Sequence, residues 1–217
     1  MVKGYKLEIF YFDELDSTQT YLLKSLKEKK YTAPVCIVAL KQRSAKGSRS
    51  NKWESIEGNL MFSFAITKES LVEDIKLESL SVYLSYMLKL ELEKLHSKLW
   101  MKWPNDFYIN KKKIGGLITN ISGNYIVCGI GLNLISAPQN AEYLDVTINK
   151  NKLLKSYFES LDKKPSWKQI FSKFKIEFEL SREFISHNKD ELIVLREAIL
   201  LEDASLLYNN KKVFSLR

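Results

Sequence analysis

The chain is poor in the residues that most often carry covalent or metal chemistry: its 217 residues include two cysteines and two histidines. Cys36 and Cys128 each stand inside an apolar run, VCIVAL and YIVCGIGLNL. A free thiol there behaves as a small core hydrophobe, so neither a disulfide framework nor a zinc site is implied. His96 and His187 lie far apart in charged, helix-like surroundings and read as surface residues, which leaves no His-based dyad or metal cluster to expect. No apolar run approaches the roughly 18 residues of a membrane span, and MVKGYKLEIF lacks the apolar core of a signal peptide. The expectation is a cytoplasmic protein with no membrane partner. A Walker-type G-x-x-x-x-G-K-[ST] loop is absent, as are internal repeats and linkers.

What is present suffices for one sizeable domain, since 45% of the residues are hydrophobic. Lysine and arginine number 34 against 26 aspartates and glutamates, giving a net charge of +8. That balance favours anionic partners without separating nucleic acid from nucleotides or acidic proteins. Much of the excess is lysine scattered over helices, a solvated face. The exception is Lys41 to Lys52, KQRSAKGSRSNK, with five cations and no carboxylate among small residues.

Along the chain, YKLEIFYF reads as a strand, and DSTQTYLLKSLKEKK as a helix with Asp16 or Ser17 as its N-cap. VCIVAL and LMFSFAI read as buried strands joined by the basic loop. Residues 76 to 97 repeat apolar side chains at helical spacing and predict one long amphipathic helix against the sheet. LWMKW is a short strand ended by Pro104. FYIN, KKK and IGGLITNI form a hairpin, and a turn at Gly123 and Asn124 leads into YIVCGIGLNLI. SWKQIFSKFKIEFELSREF places Trp167, Ile170, Phe171, Phe174 and Phe178 on one helical face, and the tail returns to short strands with an Asn-Asn turn. The order predicts an α+β fold.

Three constellations stand out. The basic loop offers cations and loosely held backbone amides to an anion, although a mobile surface loop explains it equally well. Lys102 sits on an otherwise apolar strand, where burial of its ammonium would require an anionic partner and plain strand alternation would instead point it to water. Gly115 and Gly116 suggest either a flat ligand on bare backbone or a bulge. Gly129, Gly131 and Asn133 alternate along one strand face.

The order of these motifs resembles the biotin protein ligase family. DSTQTYLL is similar to the family's D-S-T-N segment, QRSAKGSRSNKW to its Q-x-x-G-R-G-R-x-G-R-x-W loop, KWPNDFYINKKKIGGLI to its K-W-P-N-D…K-[LI]-[AG]-G-[IL] element, and GIGLNL to its G-[IL]-G-[IL]-N segment. The likeness is close over residues 10 to 135. It implies a mixed or antiparallel sheet with helices on one face over residues 1–185, followed by a reduced, SH3-like C-terminal β-element over 186–217.

The resemblance further implies ATP-dependent adenylation of biotin and transfer of the biotinyl group to a lysine of a biotin carboxyl carrier protein. Biotin, ATP and Mg²⁺ are the ligands it implies, with no metal held by protein residues alone. By position, Ser17, Thr18, Gln19, Gln42, Lys46, Gly47, Ser48, Gly115 and Gly116 match biotin-binding residues. Arg49, Trp53, Lys102 and Asn133 match residues at ATP or the adenylate, and Lys102 matches the lysine between the biotin carboxylate and the α-phosphate. Gln19 stands where the family usually has Asn, and Ala45 to Ser50 keeps the loop's basicity while losing two glycines and one arginine. Because the first motif starts by residue 16, a form without the family's N-terminal DNA-binding domain is expected, with no specific DNA binding; a second copy of the chain is compatible as a partner. A lipoate-type ligase is the nearer alternative, and a basic nucleic-acid-binding module the more distant one.

Overall fold

Alternation along the strands decides which residues face which layer. The computed structural model describes residues 7–48, 52–188 and 191–214. The strands β1 (Glu8–Leu15), β2 (Val35–Gln42), β3 (Leu60–Thr67), β4 (Trp100–Lys102), β5 (Asp106–Ile109), β6 (Lys112–Ser122) and β7 (Tyr125–Leu132) form one sheet in the order β1-β2-β3-β7-β6-β5-β4. β1 and β2 are parallel and every other neighbouring pair is antiparallel, so the sheet is mixed, as expected.

Both faces of the central strands are covered, which is why VCIVAL and LMFSFAI are apolar throughout. On one face Val35, Ile37, Ala65 and Val127 pack against Leu22 and Leu26 of α1 (Thr18–Lys27). On the other, Cys36, Phe62, Phe64 and Cys128 belong to the main core with α2 (Leu80–Glu93), α3 (Lys150–Asp162) and α4 (Trp167–Ser181). Three helices thus share one face, and α1, the crossover between two parallel strands, lies on the opposite one. Burial pushes the Cys128 thiol up to about 12 and raises that of Cys36 as well, so both are neutral core residues. His96 and His187 are exposed. No helix among the described residues is long and apolar enough to cross a membrane.

The helix expected over 76–97 differs from the one observed. A short 3₁₀ turn at Leu77–Ser79 precedes α2, and the chain leaves the helix before His96, whose φ is 66°. Every residue from Leu80 to Lys89 is buried, so the helix has no broad solvated face. Two of its charged residues reach neighbouring helices: Lys89 Nζ pairs with Glu177 of α4 at 2.7 Å, as well as with Glu93 one turn along at 3.1 Å, and Glu91 accepts from Ser160 Oγ of α3 at 2.5 Å. A heptad-like pattern alone cannot distinguish such pairs from water-facing charges.

α4 carries the expected stripe of Trp167, Ile170, Phe174 and Phe178, with Phe171 partly buried. The tail strands form two small sheets, β8 (Ile185–Asn188) with β9 (Glu191–Val194), and β10 (Ile199–Leu200) with β11 (Leu206–Tyr208) and β12 (Lys211–Val213). Asn209 and Asn210, at φ 49° and 57°, make the turn between β11 and β12. These strands continue the main core: Trp103, fully buried, donates its indole N–H to Ala204 O at 2.7 Å, and Trp167 donates to Glu202 O at 2.8 Å.

The two adjacent glycines of β6 have different causes. A Cβ on Gly115 would lie 2.5 Å from both Gly131 O and Leu132 Cδ2, so β7 itself requires the glycine. The register of β5 on β6 also shifts here, between Phe107 and Tyr108. Gly115→Ala should therefore lower unfolding stability by about 1–3 kcal/mol through forced strand separation. Urea denaturation measures this directly, and an unchanged midpoint and slope would contradict the packing argument.

Candidate functional site

Beyond the N-terminus of α1, the same sheet face is lined by small and polar residues. Two rows run across the strands there: Ser63, Gly129 and Ile118 are register partners in one, and Gly131, Gly116 and Asp106 in the next. Bare backbone at the three glycines leaves a trough walled by Ser17, Thr18, Gln19, Gln42, Trp53, Asn105, Asp106 and Lys113, and roofed by Ala45, Lys46, Gly47 and Ser48.

The floor is ordered by hydrogen bonds. Ser17 caps α1, accepting from Thr20 N–H at 3.3 Å. Thr18 N–H donates to Gln42 Oε1 at 2.7 Å, and Thr18 Oγ1 lies 3.2 Å from the same oxygen and 2.8 Å from Ser63 Oγ. A backbone N–H can only donate, so the Gln42 amide is oriented with its oxygen toward Thr18. Gln19 Nε2 donates to Val127 O and Asn120 Oδ1, both at 3.0 Å. Gln19 Oε1 is then buried with no hydrogen-bond partner, and it occupies the space that a side chain on Gly129 would claim, 2.7 Å from that Cβ position. Trp53 Nε1 is a second buried polar atom without a partner, its indole lying 2.7–3.0 Å from the Cβ position of Gly131. Buried polar groups are nearly always paired, which singles out these two atoms among the residues lining the trough and, away from it, Ser85 Oγ of α2.

The opposite wall is charged. Lys113 Nζ lies 2.6 Å from Asp106 Oδ1, and Lys102 Nζ lies 4.0 Å from Asp106 Oδ2. Lys102 is buried, with a side chain 10% exposed. Asp106 is an anionic partner within reach of the buried ammonium. The ammonium also stands 5.6 Å from the Tyr108 ring and 5.9 Å from that of Phe184. Burial and the charge of Asp106 push the Tyr108 phenol up to about 12, so it stays protonated. Among the described residues no group of three His, Cys, Asp or Glu gathers to hold a metal ion.

Of the residues singled out from sequence, Ser17, Thr18, Gln19, Gln42, Lys46, Gly47, Ser48, Trp53 and Gly116 meet in this one trough. Gly115 packs against β7 instead. Lys102 stands behind Asp106 and Lys113. Asn133 lines a shallow depression on the far side of Trp53, together with Glu54, Lys113 and Pro138. Both ends of its amide are engaged, Oδ1 accepting from Asn59 at 3.3 Å and Nδ2 donating to Glu142 O at 3.1 Å. Arg49 lies outside the described residues.

The basic stretch is less open than its sequence suggests. Lys41 and Arg43 each approach Glu14 at 3.4 Å, and Arg43 binds Asp16 at 2.8 Å. The loop neck is pinned by Trp53 N–H donating to Ala45 O at 3.0 Å and by an antiparallel bridge of Lys46 with Lys52. Two of the five cations are thus neutralised by carboxylates 27 or more positions upstream, which weakens the case for a continuous nucleic-acid patch. Asp106 and Lys113, which the sequence places in the KWPND and K-I-G-G element with Lys102, line the trough as well, and Ser63 joins them from the middle of β3. For Ser63 the available signal was a lone hydroxyl in the otherwise apolar LMFSFAI.

The profile of the biotin/lipoate A/B protein ligase family matches residues 11–133, more than half of the chain. The bifunctional ligase/repressor BirA of Escherichia coli is 33% identical over 128 residues, 55% of this chain and 38% of that protein. Biotin–protein ligase 2 of Arabidopsis thaliana is 33% identical over 112 residues, 46% of this chain and 32% of that protein. The match thus spans well under half the length of these relatives. Among solved structures, the biotin acetyl coenzyme A carboxylase synthetase of Helicobacter pylori, crystallised with biotinylated ATP, superposes with a TM-score of 0.92 at 36% identity, over 96% of this chain and 100% of that one. A biotin protein ligase from Aquifex aeolicus shares the fold, with a TM-score of 0.76 at 22% identity over 97% and 96% of the two chains. The motifs that converge on the trough fall inside the matched segment: the chain belongs to the biotin/lipoate A/B protein ligase family.

Proposed function

We propose that the protein is a biotin protein ligase that adenylates biotin with MgATP and passes the biotinyl group to a lysine of an acceptor domain. The family includes both biotin and lipoate ligases, so the choice between them must come from the trough. The observation that carries it is the polar floor. Gln19 Oε1 is a buried acceptor without a partner. The Gln42 amide turns its oxygen to Thr18, which leaves Nε2 as a donor. The hydroxyls of Thr18 and Ser63 can do either. A cyclic urea presents N–H donors beside a carbonyl acceptor and satisfies such a floor; a dithiolane ring offers neither and would leave it unsatisfied, at a cost of about 1–3 kcal/mol per group.

The carboxylate end of biotin then reaches toward the charged wall. In the first half-reaction a carboxylate oxygen attacks the α-phosphorus of ATP, forming the acyl-phosphate bond of biotinyl-5′-AMP as pyrophosphate leaves. Two anions must meet, and a cation fixed between them stabilises the charge that builds up. Lys102 has that role in this reading, with Lys113 at its side. The metal would enter with ATP and supply charge stabilisation to the leaving pyrophosphate; among the described residues no carboxylate cluster gathers to hold it independently of the nucleotide. Trp53, with its unpartnered Nε1 between the trough and the Asn133 depression, is placed to contact the nucleotide portion. In the second half-reaction the acceptor amine attacks the carbonyl carbon and AMP leaves. Asp106, the one carboxylate among the described residues lining the trough, is available to the proton that the incoming ammonium must lose.

Two outcomes test the reading. Lys102→Ala should reduce biotin-dependent ATP–pyrophosphate exchange by about a hundredfold or more while biotin still binds in calorimetry; near-normal exchange with unchanged thermal melting would remove Lys102 from the reaction. Gln19→Met, which deletes the unpartnered acceptor, should weaken biotin by about 5- to 100-fold and leave the KM for ATP within about twofold. Equal biotin affinity in variant and parent would mean that the ureido group is not read by Gln19.

A further inference from the structure

We propose that Glu177 and Ser181 of α4 are positioning residues for Lys102, acting as a side-chain substitute for the strand that β4 lacks on its outer edge. β4 is the last strand of the sheet and has β5 on one side only. Its outward N–H groups nevertheless have partners. Met101 N–H donates to Glu177 Oε1 at 2.6 Å, and Trp103 N–H donates to Ser181 Oγ at 3.1 Å. These are the residues on either side of Lys102.

The spacing explains why one helix can do this. Residues four apart on a helix are separated by about 6.0 Å along its axis, and alternate residues on a strand by about 6.8 Å. Glu177 and Ser181 therefore meet alternate amides of a strand running alongside. Phe184, one further turn along, closes the arrangement. Its ring centroid lies 5.3 Å from those of Trp100 and Tyr108, and Lys102 Nζ stands 5.9 Å from it. One side of α4 and its end thus supply both the backbone anchors of β4 and part of the wall around the ammonium.

The anchors are themselves held. Ser181 is fully buried. Glu177 Oε2 is 2.7 Å from Lys89 Nζ, in the middle of α2, and 3.4 Å from Tyr86 OH. α2 packs on the sheet, so the carboxylate links the helical layer to the edge strand at the point where Lys102 projects to the other side. A three-residue edge strand paired on one side only has few ladder bonds of its own, and its placement depends on these two acceptors.

This inference rests on the ligase reading, in which Lys102 must sit between two anions. The test uses a matched pair of variants. Glu177→Gln and Glu177→Met both remove the charge facing Lys89 and are similar in size, but only Gln keeps an acceptor for Met101 N–H. Glu177→Gln should retain kcat for pyrophosphate exchange within about threefold of the parent, whereas Glu177→Met should lose tenfold or more, with the KM values for biotin and ATP within twofold. Ser181→Ala should show the same loss confined to kcat. Equal kcat in the Gln and Met variants, or losses that appear only in KM, would overturn the proposal. Hydrogen exchange of the Met101 and Trp103 amides gives a readout independent of activity: both should exchange slowly in the parent, and the Met101 amide at least tenfold faster in the Met variant than in the Gln variant. Rapid exchange at both amides in the parent would overturn the proposal whether or not the variants fold. A parent protein without biotin-dependent exchange activity, but with protected amides, would instead count against the ligase reading alone.

Discussion

The hydrogen bond from Thr18 N–H to Gln42 Oε1, at 2.7 Å, is the contact on which the site's chemistry depends. It joins the first turn of α1 to the last residue of β2, two elements already brought together by the parallel β1–β2 pairing. Being buried and donated by a backbone group, it leaves the Gln42 amide one orientation. The hydroxyls of Thr18 and Ser63 continue the chain of bonds onto β3. Because the helix mouth is fixed in this way, Gln19 projects over Gly129 and its oxygen is held without a partner. A desolvated acceptor is costly when left alone and selective when matched, so the arrangement gives the trough preference for a ligand with a complementary N–H.

At the other end of the trough the problem is one of charge. Lys102, Asp106 and Lys113 form a buried-to-exposed series with the carboxylate in the middle, side-chain exposures being 10%, 20% and 38%. The carboxylate lies between the two ammonium groups, 2.6 Å from Lys113 and 4.0 Å from Lys102. A ligand carrying a carboxylate and a phosphate can replace or supplement that pairing. The elements behind the wall, α4 and the turn that receives the Trp103 indole, are what keep such a short strand in place.

Much of this was legible in the residues. Strand positions followed from apolar runs bounded by Gly, Pro and Asn, the cap at Ser17 from its chemistry, and the convergence of Ser17, Thr18, Gln42 and the 46–48 segment from the order of the motifs. What failed to show was long-range. Lys41 and Arg43 look available until β1 brings Glu14 and Asp16 beside them. α2 looks amphipathic until α3 and α4 cover its second side and turn Lys89 and Glu91 inward. Gly115 and Gly116 are indistinguishable in a sequence, yet register sends one against the β7 backbone and the other into the trough. Ser63 is not legible because a single hydroxyl in a buried strand carries no motif, although its burial requires the partner that Thr18 provides.

The central claim is that the floor of the trough reads a cyclic urea. Equilibrium calorimetry without nucleotide, comparing biotin with lipoate, tests it most directly, because it isolates ring recognition from the chemistry at the charged wall. The account predicts biotin binding at least about a hundredfold tighter, the equivalent of roughly 2.7 kcal/mol. Comparable affinities for the two acids would contradict it.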